Sequence, residues 1–110
     1  MYHKELLKGN TETLLLFLLT EKPMYGYQIV KEIENRSQGY FQFKEGTLYP
    51  ALHRLAKAGW VDGIWGEAST GAPRRYYSIT AKGEGVLKER LQEWERFSSA
   101  VNSIMLAEAQ

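Results

Sequence analysis

The last third of the chain carries an apolar stripe that is too long for a 110-residue body to cover. The stripe follows Thr80, a helix-capping residue type, and its residues recur at alternating steps of three and four. Its members are Leu87, Leu91, Trp94, Phe97, Val101, Ile104 and Met105. A helix from Thr80 to Glu108 would be roughly 43 Å long, although Gly83 and Gly85 weaken its first turns by about 1 kcal/mol each. We therefore predict that residues 80–110 form a dimerisation helix, paired with the same helix of a second subunit.

Residues 1–79 carry the patterns of three shorter helices and a β-hairpin. The patterns predict helices over 12–20, 25–35 and about 45–58, a very short strand over 40–43, and hairpin strands over 60–65 and 74–79 around the loop 66–73. Asn10 or Thr11 caps the first helix, and residues 1–9 either extend it or stay loose. The predicted fold is mainly α with a small β-hairpin wing. It comprises a winged helix-turn-helix over 1–79 and the dimerisation helix over 80–110, as one compact unit.

The second and third helices each present an inward face. In the second helix, Ile29 and Ile33 face inward together with either Val30 or Gly26. In the third helix, the buried stripe consists of Leu48, Ala51, Leu52, Leu55 and Ala58. Pro50 is tolerated only near a first turn, which places the start of the third helix around residues 45–47. The opposite face of the third helix is then open to a partner.

Composition narrows the class of protein. The chain has no cysteine, which excludes disulfides and thiolate zinc sites. The longest apolar run, residues 14–19, is far shorter than the roughly 20 residues of a membrane span, so we expect a cytoplasmic protein. His3 and His53 are distant in sequence, and Asp62 is the one aspartate. Nothing here arranges catalytic groups or metal ligands, and we expect no enzyme activity, metal or cofactor.

Positive charge is concentrated around the third helix and the hairpin. The formal net charge is only +1, but residues 44–90 carry eight basic and five acidic residues. A helix of about 10 to 12 Å diameter fits the major groove of DNA, and a basic wing reaches the adjacent minor groove. The predicted DNA contacts are Thr47, Tyr49, His53, Arg54, Lys57, Arg74 and Arg75, with Tyr25, Tyr27 and Lys31 of the second helix at the DNA backbone. Core packing is the alternative for Tyr27 and Tyr49, and strand alternation lets only one of Arg74 and Arg75 point at DNA.

Three blocks of the sequence resemble the PadR family of bacterial transcriptional regulators. They are Met24–Tyr27, Gly46–Leu55 followed by Gly59, and Arg74–Gly83, in matching order and spacing over nearly the whole chain. The length, with a single C-terminal helix, is similar to the short branch of that family. The resemblance implies a winged-helix protein that binds DNA.

Two shorter segments resemble members of the family that bind a small-molecule ligand. Gln92–Phe97 and Ile64–Glu67 resemble the multidrug-sensing members of the short branch, which bind flat, aromatic, often cationic compounds between two tryptophans at the dimer axis. The resemblance implies a pocket formed by Trp94 with Leu16, Glu12, Thr13, Leu91 and Ser98. Ser98 stands where an acidic group would hold a cation, and Arg90 lies one turn before Trp94. These two residues argue against a cationic ligand and leave a planar neutral or anionic aromatic possible. The alternative is that Trp94 only packs the dimer interface.

These observations support two hypotheses of different classes. The first is a homodimeric, ligand-responsive repressor that occupies a pseudo-palindromic operator and is released by a small planar aromatic compound bound at the dimer interface. The second is a winged-helix module for protein–protein interaction without a small-molecule effector. DNA binding predicts an affinity that falls steeply with salt, which separates the two.

Overall fold

The described residues form four helices and a small antiparallel sheet. The computed structural model describes residues 10–67, 71 and 73–106. The elements in chain order are α1 (Thr11–Leu19), β1 (Met24–Tyr25), α2 (Gly26–Arg36), α3 (Glu45–Lys57), β2 (Val61–Glu67), β3 (Pro73–Ile79) and α4 (Ala81–Met105). This arrangement is a winged helix-turn-helix with a long last helix, which confirms the predicted fold class. The predictions for residues 1–9, for 68–70 and Ala72 of the wing loop, and for Glu108 lie outside the described residues.

Helix α1 is apolar nearly all round and is buried on several sides. Leu15 and Leu16 are fully buried, and Leu18 and Leu19 nearly so, whereas Phe17 stays exposed. The helix packs against α3, β3 and α4. Since it contacts three elements, α1 forms the centre of the core. No helix in the described part of the chain has the length and apolar character needed to cross a membrane.

Helix α2 buries its predicted face, and α3 buries its predicted stripe except for Ala58, which follows the last helical residue and is only half-buried. Gly26 is buried with Ile29 and Ile33, whereas Val30 is only half-buried. Helix α3 begins at Glu45, buries Leu48, Ala51, Leu52 and Leu55, and contains Pro50. Gly59 has a φ of 83°, in the left-handed region that ends a helix, and the Trp60 N–H donates to the Leu55 carbonyl oxygen at 2.9 Å. The chain thereby turns directly from α3 into the sheet.

The predicted strand over residues 40–43 is wrong, and the third strand lies elsewhere. The strand order is β1–β3–β2, with β2 paired to β3 from Val61 opposite Ile79 to Glu67 opposite Pro73. Residues 24–25, which lead into α2, occupy the other edge of β3 opposite Tyr76 and Tyr77. Both edges of β3 are therefore taken, and no edge of that strand is left for residues 40–43. The alternation there places Phe41 and Phe43 against the core from irregular backbone.

Thr80 joins the sheet to α4, as its type predicts. Its Oγ1 accepts a hydrogen bond from the Gly83 N–H at 3.0 Å and donates to the Gly59 carbonyl oxygen at 2.7 Å. The same hydroxyl thus caps α4 and fixes its start against the end of α3. Leu87, one of the predicted dimer residues, is 6% exposed and belongs to the chain's own core. The 25 residues of α4 span about 37 Å, and the chain is 60 Å in its longest dimension.

Candidate functional site

A hollow of about 530 Å³ lies between the start of α2, the helix α3 and the two wing strands, and we call it the wing hollow. Its walls are aromatic and basic. They consist of Tyr25, Tyr27, Tyr49, Trp65, Pro73, Arg74, Arg75 and Tyr77. Five of these eight are residues that the sequence suggested as DNA contacts, so the fold brings half of that predicted set together. Trp65, Pro73 and Tyr77 were not in the set, because only the strand register places them beside the arginines.

Each wing arginine lies over an aromatic ring. The Arg74 guanidinium carbon is 4.2 Å from the centre of the Tyr25 ring. The Arg75 guanidinium carbon lies 5.6 Å from the Trp65 ring centre and 5.8 Å from that of Tyr77. Cation–π contacts orient the two guanidinium groups without neutralising them. Both charges therefore remain available to a phosphate, and both arginines line the same hollow although they alternate along β3.

Two glycines make room for side chains of the wing hollow. A Cβ built at Gly26 would lie 2.7 Å from the Tyr49 hydroxyl oxygen, so the bare backbone lets the Tyr49 ring rest on the start of α2. A Cβ built at Gly63 would collide with the Arg75 guanidinium. The positions of Tyr49 and Arg75 thus depend on glycines in neighbouring elements.

Tyr49 packs against a neighbouring element and is still open to a partner, so the structure is compatible with both roles that the sequence left open. Its ring packs on Gly26, yet the side chain remains partly exposed in the wing hollow. Burial raises the pKa of the Tyr49 hydroxyl, and the nearby Glu45 carboxylate raises it further. The hydroxyl therefore keeps its proton at neutral pH and stays able to donate a hydrogen bond to an anionic oxygen.

The open face of α3 is flat at its centre. The predicted contacts Thr47, His53, Arg54 and Lys57 are all exposed. Gly46 and Pro50 share a stripe with His53 and Lys57 at helical spacing, opposite the leucines, and both are exposed. Nothing lies within 4 Å of a Cβ built at Gly46. Gly46 and Pro50 carry no long polar side chain and so give no sequence signal for DNA contact. A surface without such side chains lets backbone approach a groove closely.

Tyr27 and Lys31 lie together on the outer side of α2. Tyr27 is exposed, so it is not a core residue. The Lys31 Nζ is 5.6 Å from the centre of the Tyr27 ring and 4.0 Å from a carboxylate oxygen of Glu34. Lys31 is outside the wing hollow, and its charge is shared with Glu34.

Trp94 stands between two hollows on α4. The first, which we call the Trp94 hollow, measures about 580 Å³ and is lined by Asn10, Glu12, Thr13, Arg90, Glu93, Trp94 and Phe97. The second measures about 490 Å³ and is lined by Lys88, Leu91, Gln92, Trp94, Glu95 and Ser98. The residues predicted to accompany Trp94 are therefore divided: Glu12 and Thr13 lie on one side, Leu91 and Ser98 on the other. Leu16 is fully buried in the core and lines neither hollow.

The apolar stripe of α4 is open beyond its first turns. Trp94 is 50% exposed and Phe97 is 63% exposed, with their ring centres 6.1 Å apart. The other exposed members are Leu91, Ile104 and Met105, with Leu106 after them, and Val101 is half-buried. Of the seven predicted dimer residues, Leu87 alone is buried by the chain itself.

Glu12 connects helices that are far apart in sequence. One of its carboxylate oxygens accepts a hydrogen bond from Arg90 Nη1 at 3.1 Å, and the other lies 3.6 Å from Arg54 Nε. The Arg90 guanidinium also stacks 5.2 Å from the centre of the Trp60 ring. Arg54, predicted as a DNA contact, is therefore paired in this structure with a carboxylate of α1.

An exposed helix beside a basic, aromatic wing hollow is the arrangement of a winged-helix transcriptional regulator. Residues 15–89 match the model of the PadR-like family of transcriptional regulators. The chain belongs to this family, whose members bind DNA and are transcription factors, not enzymes.

Relatives match nearly the full length of the chain. It is 36% identical over 105 residues to an uncharacterized protein of Lysinibacillus sphaericus, covering 96% of each chain. A solved transcriptional regulator from Clostridium thermocellum is 35% identical with a TM-score of 0.82, over 90% of this chain and 96% of that one. A PadR-like transcriptional regulator from Bacillus cereus is 32% identical with a TM-score of 0.82, over 94% of this chain and 99% of that one.

Proposed function

We propose that this PadR-like regulator is a cytoplasmic, homodimeric repressor. In this proposal it occupies a pseudo-palindromic operator and leaves it when a small planar aromatic compound binds at the dimer interface. The observation that carries the proposal is the separation of two surfaces: the wing hollow and open face of α3 suit DNA, whereas the exposed Trp94 on α4 suits a flat apolar partner.

The dimer is supported by the open stripe of α4. Trp94, Phe97, Ile104 and Met105 are each at least half exposed in the single chain. Large apolar side chains repeated along one helix are stabilised when a second helix removes them from water. A two-fold axis through α4 would repeat α3 and the wing on the partner, and a dimer of this kind reads half-sites about 34 to 36 Å apart.

The effector is supported by the position of Trp94 between two hollows. A planar aromatic compound can stack on its indole ring, and a second tryptophan from the partner would offer a second face. In this proposal, such a compound changes DNA affinity because it binds one separation of the two α3 helices better than another. A compound that spreads or twists the two α4 helices would therefore release the operator.

The repressor proposal is tested by the DNA that the protein selects. The full chain should be expressed in a bacterium, isolated with its bound DNA, and the recovered fragments sequenced and used in fluorescence anisotropy titrations. We expect an inverted repeat, bound by two chains, with an affinity that falls as salt rises. Recovery of no specific DNA, or binding that ignores salt, would favour the protein–protein interaction module.

The effector proposal is tested with three naphthalene probes: 2-naphthamide, 2-naphthoate and 2-naphthylmethylammonium. Calorimetry should measure their affinity for the protein, and anisotropy should measure operator release. We expect Trp94→Ala to weaken binding by about ten-fold or more, since a stacked ring contributes up to about 1.5 kcal/mol beyond its buried area. The matched control is Trp65→Ala, since Trp65 is an exposed tryptophan on the wing, and this variant should bind the probes with unchanged affinity. Equal probe affinity in the Trp94→Ala protein would contradict a pocket at this residue.

A further inference from the structure

Glu12 links the proposed DNA-binding face of α3 to the Trp94 hollow on α4 through two ion pairs. Its carboxylate contacts Arg90 of α4 at 3.1 Å and Arg54 of α3 at 3.6 Å. The Glu12 side chain is 25% exposed and that of Arg90 is 30%, whereas that of Arg54 is 63% exposed. The partly buried Glu12 carboxylate is thus paired both with the partly buried Arg90 and with the solvent-exposed Arg54.

The ion pair between Arg54 and Glu12 opposes DNA binding by Arg54. A phosphate or a base edge that binds the Arg54 guanidinium competes with the Glu12 carboxylate for it. Breaking an exposed ion pair of this kind changes an affinity by no more than about five-fold, so Glu12 reduces the affinity that Arg54 provides without abolishing it. The Arg54 head group lies beside α1 in this contact.

The strength of this restraint depends on Arg90. Arg90 donates to Glu12 and, with Glu12, lines the Trp94 hollow. While Arg90 is paired with Glu12, part of the carboxylate charge is compensated on the side away from Arg54. Any group that draws Arg90 away leaves the full charge of Glu12 acting on Arg54.

We propose that Glu12 is a positioning residue of the DNA interface, which holds Arg54 back from DNA to a degree set by Arg90 in the Trp94 hollow. This inference rests on the proposed DNA-binding role of α3 and specifies how the Trp94 hollow reaches it. An effector that pairs with Arg90, such as an aromatic carboxylate, strengthens the restraint and weakens operator binding. The route needs no movement of α3 as a whole.

The test is a set of charge variants in the full-length protein, with operator affinity measured by anisotropy at low salt. Glu12→Gln should bind DNA about two- to five-fold more tightly, the range of an exposed ion pair. Arg90→Gln, which imitates capture of Arg90, should bind DNA about two-fold more weakly. Both effects should disappear in an Arg54→Ala background. Glu93→Gln makes the same charge change in the same hollow and should have no effect that depends on Arg54.

A second readout needs no DNA. Nuclear magnetic resonance relaxation of the Arg54 Nε–H should show increased mobility in Glu12→Gln and reduced mobility in Arg90→Gln, with thermal unfolding confirming that each variant is folded. Unchanged Arg54 mobility would overturn the proposal even if the protein bound no DNA. A Glu12→Gln effect on affinity that persists in the Arg54→Ala background would also overturn it, since bulk charge would then be the cause. Failure of the wild-type protein to bind DNA would instead contradict the repressor proposal.

Discussion

At the scale of single residues, two glycines near the start of α4 have different roles. A Cβ built at Gly83 would collide with the Trp60 carbonyl oxygen and lie 2.9 Å from Cγ1 of Ile79. Nothing lies within 4 Å of a Cβ built at Gly85. Helix propensity alone treats both glycines as weak points of the helix. The structure shows that their roles differ, because only Gly83 allows the close approach of α4 to the segment at the end of α3.

Substituting each of these glycines by alanine should change stability in opposite directions. Gly85→Ala should raise the free energy of unfolding by about 0.5 to 1 kcal/mol, since alanine has less freedom to lose in a helix. Gly83→Ala should lower it by about 1 to 3 kcal/mol, because the added methyl group forces the backbone apart. Urea unfolding followed by circular dichroism measures both changes. A gain in stability for Gly83→Ala would show that the close approach to Trp60 is unimportant.

Arg36 fastens the end of α2 to the segment that follows α1. Its Nη1 and Nη2 donate to the two Glu21 carboxylate oxygens at 2.9 and 2.6 Å, and its Nε donates to Glu32 at 2.8 Å. The hydrogen bonds from Arg36 lower the pKa of Glu21 below its usual value. The ion pair therefore contributes to stability above the usual pKa of a glutamate, and the contribution is lost as pH falls through the lowered pKa of the folded state.

A carbon-detected nuclear magnetic resonance titration of the Glu21 carboxylate measures this lowered pKa directly. We expect a pKa below the usual glutamate value in the wild-type protein and a return toward that value in Arg36→Gln. Lys22→Gln removes a weaker, nearby positive charge and should shift the pKa much less. An ordinary Glu21 pKa in the wild-type protein would show that the two side chains are not paired in solution.

At the scale of elements, periodicity predicted the faces that pack but not the partners of each element. Leu48, Leu52 and Leu55 recur at helical spacing and are all buried, because a helix hides such a stripe in any fold. The strand at Met24–Tyr25 has only two residues, too few for a pattern to detect. Its existence depends on a free edge of β3, which is a property of the assembled sheet.

In the candidate site too, the sequence predicted individual residues but not the contacts between distant elements. The sequence predicted Tyr25, Tyr49 and Arg75 because residue type and position in a helix or wing suffice for them. It did not predict the contact of Glu12 with Arg90, which joins residues 78 positions apart. That contact requires the packing of α1 against α4, which no local pattern contains.

The open stripe of α4 makes a prediction about association. The wild-type protein should sediment as a dimer of the 12.6 kDa chain, and Phe97→Lys should shift it toward monomer because a charge in an apolar helix pair is costly. Ile64→Lys is the matched control, since Ile64 on β2 is 62% exposed and Phe97 is 63% exposed. Sedimentation velocity over a range of concentrations distinguishes the two variants. Dissociation by Ile64→Lys, with Phe97→Lys still dimeric, would move the interface to the wing.

At the scale of the whole molecule, the chain combines a small body with a projecting helix. The core around α1 positions α2, α3 and the wing, and α4 extends from it with apolar side chains exposed. The formal net charge of +1 hides an uneven distribution, because residues 44–90 carry eight basic and five acidic residues, whereas residues 91–110 carry one basic and three acidic residues. Affinity for DNA should therefore depend on local placement of charge and on duplication of the site by a dimer.

The salt dependence of operator binding in matched arginine variants tests this account most directly. Arg75 lies in the wing hollow, and Arg96 lies exposed on α4. In plots of the logarithm of affinity against the logarithm of salt concentration, Arg75→Ala should reduce the slope by about one for each phosphate that Arg75 neutralises. Arg96→Ala should leave the slope unchanged although it removes the same charge. Equal slopes for wild type and Arg75→Ala, or an equal reduction in both variants, would contradict a DNA interface at the wing.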